Sequence, residues 1–391
     1  MADAYDLLIV GAGFAGAVVA ERMATLYGMR SLIVEQRDHI GGNAYDRHDA
    51  AGVLIHQYGP HYFRTNSERI IAYLSQFTDW HTVDYTIKTW ADGRFWNFPI
   101  NLNTFEQFIG RPSTTDEMEA WLAAHRIEME EPGNSEEVII SQVGWELYRL
   151  FFENYTLKQW KRHPRELDPS VCGRIPIRTN RDDRYLRERF QALPAKGYTV
   201  LFENMLGTVA EQVTIKLATD YRSILPNVQF RHLVYTGPID EFFDFTYGHL
   251  PYRSLRFEAE SFTPENLEPR RAISGKPGFW QPSMQVNYPN EEAFTRIVEI
   301  KHATGQACAN TTIVREYPED YGVGKEPYYP IPAPDAKAQY QRYKDLAEAR
   351  QDVSFIGRLA TYRYYNMDQV VGMALAEVDR IAARFGLKQS M

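Results

Sequence analysis

Cysteine is nearly missing from this chain. Its 391 residues hold two, Cys172 and Cys308, which form neither a CxxC pair nor a metal-ligand spacing. That excludes a disulfide framework and flavin–disulfide chemistry, and it fits a reducing cytoplasm. Long apolar runs are missing too. None approaches the roughly 18 residues that cross a bilayer, and the first residues lack the basic stretch and cleavage site of a secretory signal. The expectation is a cytoplasmic protein with no membrane partner. The formal net charge is −8 with no long basic block, so nucleic acid is not expected as a partner either. The ten histidines make no metal pattern, and HExxH, GxSxG and internal repeats are absent. What remains is an ordinary globular composition, 44% hydrophobic and 24% charged, long enough for two or three domains. Tyrosine is in excess, with 25 copies. Each joins a stacking face to a hydroxyl, which suits the lining of a polar-ligand site as well as a large core.

The strongest positive signal is Asp6-Leu7-Leu8-Ile9-Val10-Gly11-Ala12-Gly13-Phe14-Ala15-Gly16, an apolar run ending in a glycine-rich turn before a helical pattern. A second apolar run, Leu32-Ile33-Val34, ends in Glu35, with Gln36 and Arg37 behind it. Strand, turn, helix, strand and acid in that order place a dinucleotide. The glycines serve the tight turn, close approach to a pyrophosphate, and helix–strand packing. The helix start offers unpaired N–H groups and the positive end of its dipole, and Glu35 can accept from a ribose hydroxyl. Gly41-Gly42-Asn43 follows. A Gly-Gly pair here resembles flavoproteins of the amine-oxidase type, in which the chain passes close under the dinucleotide. FAD is therefore the expected cofactor. A second GxGxxG is missing, and with it a separate nicotinamide domain.

Residues 1–82 read as βαβ and its extension, including Tyr58-Gly59-Pro60-His61 with Arg64 three positions on. Tyr85–Ile100 alternates, turns at Asp92-Gly93, and reads as a β-hairpin. Residues 102–192 change character. Thr104–Ile109, Thr114–His125, Ser135–Arg149 and Tyr185–Phe190 read as helices of an insert. Between them Asp168–Pro176, bracketed by proline and glycine, reads either as a mobile lid near 168–180 or as an ordinary connection. Leu255–Glu260, Met284–Tyr288, Thr295–Ala303 and Thr312–Tyr317 read as antiparallel strands, because only loops join them. Glu265–Pro282 reads as a surface excursion. A helix near Tyr340–Ala349, a strand at Val353–Ile356 and a helix from near Asn366 follow. In that last helix Val371, Ala374, Leu375, Val378, Ile381, Ala382 and Phe385 make one apolar stripe.

Two arginines are candidates to hold an anion. Arg174 sits on the proline-bracketed stretch, and Arg296 shares a strand face with Val298. An arginine on an apolar face needs a partner, either a phosphate or a buried carboxylate. Phe151, Phe152, Tyr155, Thr156 and Trp160 fall within ten residues of a helical segment, and either stack a base or pack helices.

Together these segments resemble the UDP-galactopyranose mutase family nearly end to end. The matches run from Gly11–Gly16 through Glu35, Gly59-Pro60-His61, Phe151-Phe152-Glu153-Asn154-Tyr155-Thr156-x3-Trp160, Gly173-Arg174-x-Pro176, Asp182-Asp183-x-Tyr185, Tyr235-Thr236-Gly237, Val286-Asn287-Tyr288, Thr295-Arg296 and Pro327-Tyr328-Tyr329-Pro330 to Gly357-Arg358-x3-Tyr362-x-Tyr364. The resemblance implies an α/β architecture. A Rossmann-like FAD-binding domain comes in three pieces (1–82, 204–242, 335–391). It is joined by a helical domain (102–192) and an antiparallel β-sheet domain (83–101 with 243–334). It also implies an isomerase that interconverts pyranose and furanose forms of a UDP-sugar, feeding galactofuranose-type units to cell-surface polysaccharide. The expected substrate is UDP-galactose and/or UDP-N-acetylgalactosamine, and reaction runs through a covalent adduct between the sugar and N5 of reduced FAD. NADPH or NADH is the expected reductant, and a homodimer stays an open expectation.

By the same resemblance Arg174 and Arg296 hold the diphosphate, while His61 and Asn287 sit at the sugar–flavin end. Phe152, Tyr155, Thr156 and Trp160 meet the uridine, with Phe151 also among the substrate-binding residues, and Tyr185, Tyr329 and Tyr364 meet the diphosphate, Tyr328 being exchangeable with Tyr329 by a one-residue slip. FAD contacts fall to Gly11, Gly13, Phe14, Ala15, Gly16, Glu35, Gln36, Arg37, Gly42, Asn43, Tyr58, Gly59, Pro60, His61, Thr236, Gly357, Arg358, Tyr364, Asn366 and Met367. Two positions depart from the family pattern. Arg64 stands where a histidine is usual, and Asn366 where an aspartate is usual. Arg64, a permanent multiple donor, either donates to an acetamido carbonyl at C2 of the sugar or makes a local ion pair. The rival readings are an amine-oxidase or desaturase-type oxidoreductase and a mutase for another nucleotide sugar, such as a dTDP-6-deoxyhexose.

Overall fold

The computed structural model describes residues 3–322 and 324–389. Leu7–Val10 is the centre of a five-stranded parallel sheet, in the order Val213–Lys216, Ser31–Val34, Leu7–Val10, His232–Tyr235, Val353–Phe355. Leu7, Leu8 and Ile9 are wholly buried, as a strand covered on both faces requires. From Val10 the chain crosses through the helix Phe14–Tyr27 to Ser31–Val34 on one side, while His232–Tyr235 lies on the other. The order therefore reverses beside Val10, and the crevice beyond such a switch point is where open α/β sheets bind ligands. The closing helix, Met367–Phe385, lays its stripe of Val371, Ala374, Leu375, Val378, Ile381 and Ala382 into the core against Phe14–Tyr27.

A seven-stranded sheet stands over that crevice. Its order is Tyr329–Pro330, Tyr252–Phe262, Thr311–Asp320, Arg296–Val298, Gln285–Asn287, Ile87–Ala91, Arg94–Phe98. The expected hairpin is present, with Asp92 and Gly93 at positive φ in its turn. One pairing corrects the antiparallel expectation: Gln285–Asn287 runs parallel to Ile87–Ala91. No short loop joins these two strands, so no hairpin fixes their direction. The strand expected over Thr295–Ala303 is cut to Arg296–Val298, and Lys301–Thr304 turns into a helix ended by Gly305.

The insert holds helices Leu102–Ile109, Thr115–His125 and Ser135–Tyr148, whose first turns are capped by Asn101, Thr114 and Asn134. Tyr185–Phe190 is not a helix. Tyr185 N–H donates to the Tyr85 carbonyl at 2.7 Å, and Phe190–Pro194 is the middle strand of a three-stranded sheet between Phe63–Thr65 and Trp80–Thr82. Bonds to distant strands replace the local ones a helix needs. Within Asp168–Pro176 the residues Ser170–Gly173 form one helical turn, and Asp168 N–H donates to the Pro332 carbonyl. Glu265–Pro282 carries three short helical turns and is largely exposed.

Candidate active site

The glycine turn and the pieces around it form a bare backbone cradle at the start of Phe14–Tyr27. A Cβ on Gly16 would lie 2.0 Å from the Gly11 carbonyl oxygen, and one on Gly42, at φ +56°, 3.0 Å from Gly13 Cα. Gly357 closes on Ala15 and Thr236 from the far side. Glu35, at the end of its strand, accepts from Ala12 N–H and Arg37 N–H at 3.0 Å each. Arg37 reaches Asn43 (2.9 Å) and Glu326 (2.7 Å) and lies 4.2 Å from the Tyr58 ring centre. Close glycine approach, a helix start and a fixed carboxylate fit a dinucleotide such as FAD. Phe14 offers only its backbone there, because its ring packs against Phe202 and Tyr198 in the core. Gln36 is exposed, with no hydrogen-bond partner among the described residues.

Asn43, beside Gly42, and Arg358, beside Gly357, lead into a deep cleft under the seven-stranded sheet, with about 1570 Å³ of empty space including its open mouth. All the expected substrate residues line it: Phe151, Phe152, Tyr155, Thr156, Trp160, Tyr185, Asn287, Tyr328, Tyr329 and Tyr364. So do Tyr58, Gly59, Pro60, His61, Arg64, Arg174, Arg296, Asn366 and Met367. Among the described residues the lining includes four arginines, 64, 174, 296 and 358, and no carboxylate. Arg174 is exposed to the cleft, and among the described residues it has no acidic partner within 4 Å. Its guanidinium sits 4.6 Å from the Tyr364 ring centre and that of Arg358 5.0 Å. Burial pushes the Tyr364 phenol up, but Arg174, Arg358 and Arg296 together outweigh it and bring the phenol below its ordinary range.

Tyr328 and Tyr329 point to different company. Tyr329 joins Tyr364 (5.3 Å between ring centres) and Trp160 (6.1 Å), whereas Tyr328 faces Tyr58 and Phe257. Phe151 and Phe152 reach the cleft from a π-helical turn, Arg149–Glu153, set before the helix Asn154–Trp160. Such turns recur at functional sites. Lys158, on the outer side of that helix, donates to the carbonyls of Tyr288 (2.6 Å), Glu292 (2.6 Å) and Phe294 (3.2 Å), tying it to the sheet.

His61 Nδ1 lies 2.9 Å from the Gly59 carbonyl. A carbonyl only accepts, so Nδ1 carries the proton and Nε2 is left as an acceptor. The His61 N–H donates to His56 Nδ1 at 3.0 Å. Burial holds His61 down to about 3, with His56, Arg358 and Arg296 adding to it, and burial holds His56 down to about 4. These depressed values make stability pH-dependent. Below the unfolded value of about 6.5 the unfolded chain takes up protons that the folded chain refuses, so stability is full above 6.5 and falls as pH drops toward 4. The expected loss at pH 5 is roughly 1–2 kcal/mol per histidine. Urea unfolding at pH 7 and pH 5 measures it. His56→Gln flattens the dependence, and equal wild-type stability at both pH values would contradict the assignment.

Arg64 and Asn366, the two departures from the family pattern, meet. Arg64 Nη2 donates to Asn366 Oδ1 at 2.9 Å, and Arg64 Nε lies 3.5 Å from Glu188. The local pair is thus made, and the arginine still lines the cleft.

Several lining residues escape the sequence reading. Tyr62 and Tyr85 stack with 4.8 Å between ring centres, Tyr85 OH donates to Gln285 Oε1 (2.6 Å), and Gln285 Nε2 donates to Asn287 Oδ1 (2.8 Å). The signal for Gln285 was its place two residues before Asn287, on the same strand face. Outside the cleft, Glu136, Glu153 and His163 have metal-capable spacing, but Arg165 Nε donates to His163 Nδ1 at 3.0 Å and brings a cation to the cluster.

The model of the UDP-galactopyranose mutase family matches residues 150–364, and that of the NAD(P)-binding Rossmann-like domain residues 9–77. A Klebsiella pneumoniae protein named "Probable UDP-galactopyranose mutase" is 34% identical over 99% of this chain and 97% of its own. The dTDP-fucopyranose mutase of Escherichia coli is 31% identical over 94% of this chain and 96% of its own. The crystal structure of a reduced UDP-galactopyranose mutase superposes with a TM-score of 0.74 at 18% identity, covering 97% of this chain and 96% of that one. The fold, the cradle and these relationships agree: the chain belongs to the UDP-galactopyranose mutase family of isomerases.

Proposed function

We propose that this enzyme interconverts the pyranose and furanose forms of a UDP-sugar in the cytoplasm, with reduced FAD in the cradle. The supporting observation is a tyrosine-rich cleft, lined among the described residues by four arginines and no carboxylate, that continues into that cradle. When bound, reduced FAD supplies a nucleophile for the anomeric carbon. Arg174 and Arg296 hold the diphosphate and offset its charge as it leaves and returns. Tyr185, Tyr329 and Tyr364 donate to its oxygens. Tyr155, Phe151, Phe152, Thr156 and Trp160 enclose the uridine. Gln285 occupies Asn287 Oδ1 and so leaves the Asn287 amide N–H groups to orient the sugar. His61 Nε2 is an acceptor at the turn beneath. NADPH or NADH is the proposed source of electrons.

Arg64 sets the sugar. Asn366 and the Glu188 carboxylate hold the guanidinium through Nη2 and Nε, and a further N–H of the five-donor fork remains for a C2 acetamido carbonyl. UDP-N-acetylgalactosamine is then a substrate alongside UDP-galactose. Turnover of the two by wild type and Arg64→His checks this: the variant should lose the N-acetyl substrate at least tenfold more than UDP-galactose, and an unchanged ratio would refute it. The Escherichia coli relative favours a second reading, a dTDP-6-deoxyhexose substrate. Including dTDP-sugars in the same assay separates the two.

A further inference from the structure

Behind Arg296 lies a carboxylate with no other charge partner among the described residues. Glu316 is 1% exposed, and its residue pairs directly across the sheet with Arg296. The Arg296 Nη2 to Glu316 Oε1 distance is 2.7 Å, yet neither carboxylate oxygen makes a well-directed hydrogen bond, and Arg296 Nε has none either. Glu316 also lines a small cavity together with Phe257, Val298 and Val314. The Gly59 turn lies on it as well: a Cβ there would come within 3.2 Å of Glu316 Oε2.

A buried ion pair is a poor stabiliser, since desolvating two charges offsets their attraction. The pair therefore calls for another reason to persist. Holding a guanidinium at one spot supplies that reason. We propose that Glu316 is a positioning residue: it anchors Arg296 from behind, so that the guanidinium meets the diphosphate preorganised, and its Oε2 seats the Gly59-Pro60-His61 turn beside it. The inference rests on the reading of Arg296 given above. Preorganised charge acts where charge develops in the transition state, so losing the anchor should fall on kcat more than on KM.

The test compares Glu316→Gln, Arg296→Ala and the double variant with wild type, measuring kcat, KM, melting temperature and bound-flavin absorbance. Glu316→Gln should keep its flavin and lower kcat at least tenfold, with KM within about threefold. The double variant should be no slower than Arg296→Ala alone. Glu316→Asp should recover part of the loss, and should Glu316→Gln not fold, this variant carries the test with the same kcat criterion. Unchanged kcat in Glu316→Gln, or a further loss in the double variant, overturns the positioning role. Full activity in Arg296→Ala would instead overturn the reading of Arg296 itself.

Discussion

Arg174→Ala lowers kcat by on the order of 10²–10³-fold while the protein keeps its fold and its flavin. The expectation follows from where the side chain stands. It is exposed in the cleft, with no acidic partner within 4 Å among the described residues, so removing it leaves no buried charge behind and costs little stability. It lies 4.6 Å from the Tyr364 ring centre, beside the other cations of the lining, where the proposed reaction would have a departing diphosphate gather charge. Arg174→Lys keeps the charge and loses the planar fork that grips two oxygens at once, so it should fall between wild type and alanine. Arg296→Ala differs in kind. Its kcat loss is of the same order, but Glu316 is left buried and unpaired, a change that costs about 3–5 kcal/mol. Steady-state kinetics and thermal melts on the three variants separate the cases. A melting temperature that drops equally for Arg174→Ala and Arg296→Ala would contradict the assignment.

Gly16→Ala yields a protein without bound flavin. The added Cβ would sit 2.0 Å from the Gly11 carbonyl oxygen and 3.0 Å from Ile9, inside the contact on which the cradle is built. The helix must move off the strand, and overpacking of this severity costs about 3 kcal/mol or more. It also carries the helix start away from the pyrophosphate position. Absorbance of the purified variant against wild type reads the loss directly. A variant with stoichiometric flavin would show that the turn tolerates a shift the packing forbids.

The contrast between these two regions explains what was legible in the sequence. The cradle is local: Gly11 to Gly16 and Glu35 lie within one βαβ unit, and spacing alone places them. The hairpin at Asp92-Gly93 and the apolar stripe from Val371 to Phe385 are local in the same sense, and they form as read except that Phe385 is only partly buried. The cleft is assembled from far-apart pieces. No period or spacing brings Arg174 to Tyr364 or Arg296 to Glu316, and resemblance alone suggested which arginines share a site. Tyr185–Phe190 shows the limit from the other side. Its pattern suits a helix, but hydrogen bonds to Tyr85 and to the strands around Phe63 and Trp80 outweigh local preference. The role of Glu316 was hidden for a related reason: Glu316-Tyr317-Pro318 fits the resemblance, but nothing along the chain gives the acid a task. Only the pairing of Thr311–Asp320 with Arg296–Val298 sets it against Arg296. Arg64 was flagged as a departure, yet its bond to Asn366 spans 302 residues, which no reading along the chain detects.

We propose that this cleft rearranges a sugar ring on a nucleotide using a reduced flavin without net oxidation. The most direct measurement incubates dithionite-reduced and oxidised protein with UDP-galactose and UDP-N-acetylgalactosamine and resolves the products by chromatography. The predicted result is a furanose product from the reduced protein and none from the oxidised one, with no oxygen consumed per turnover. A furanose-free reaction, or a sugar product oxidised in proportion to oxygen uptake, would contradict it.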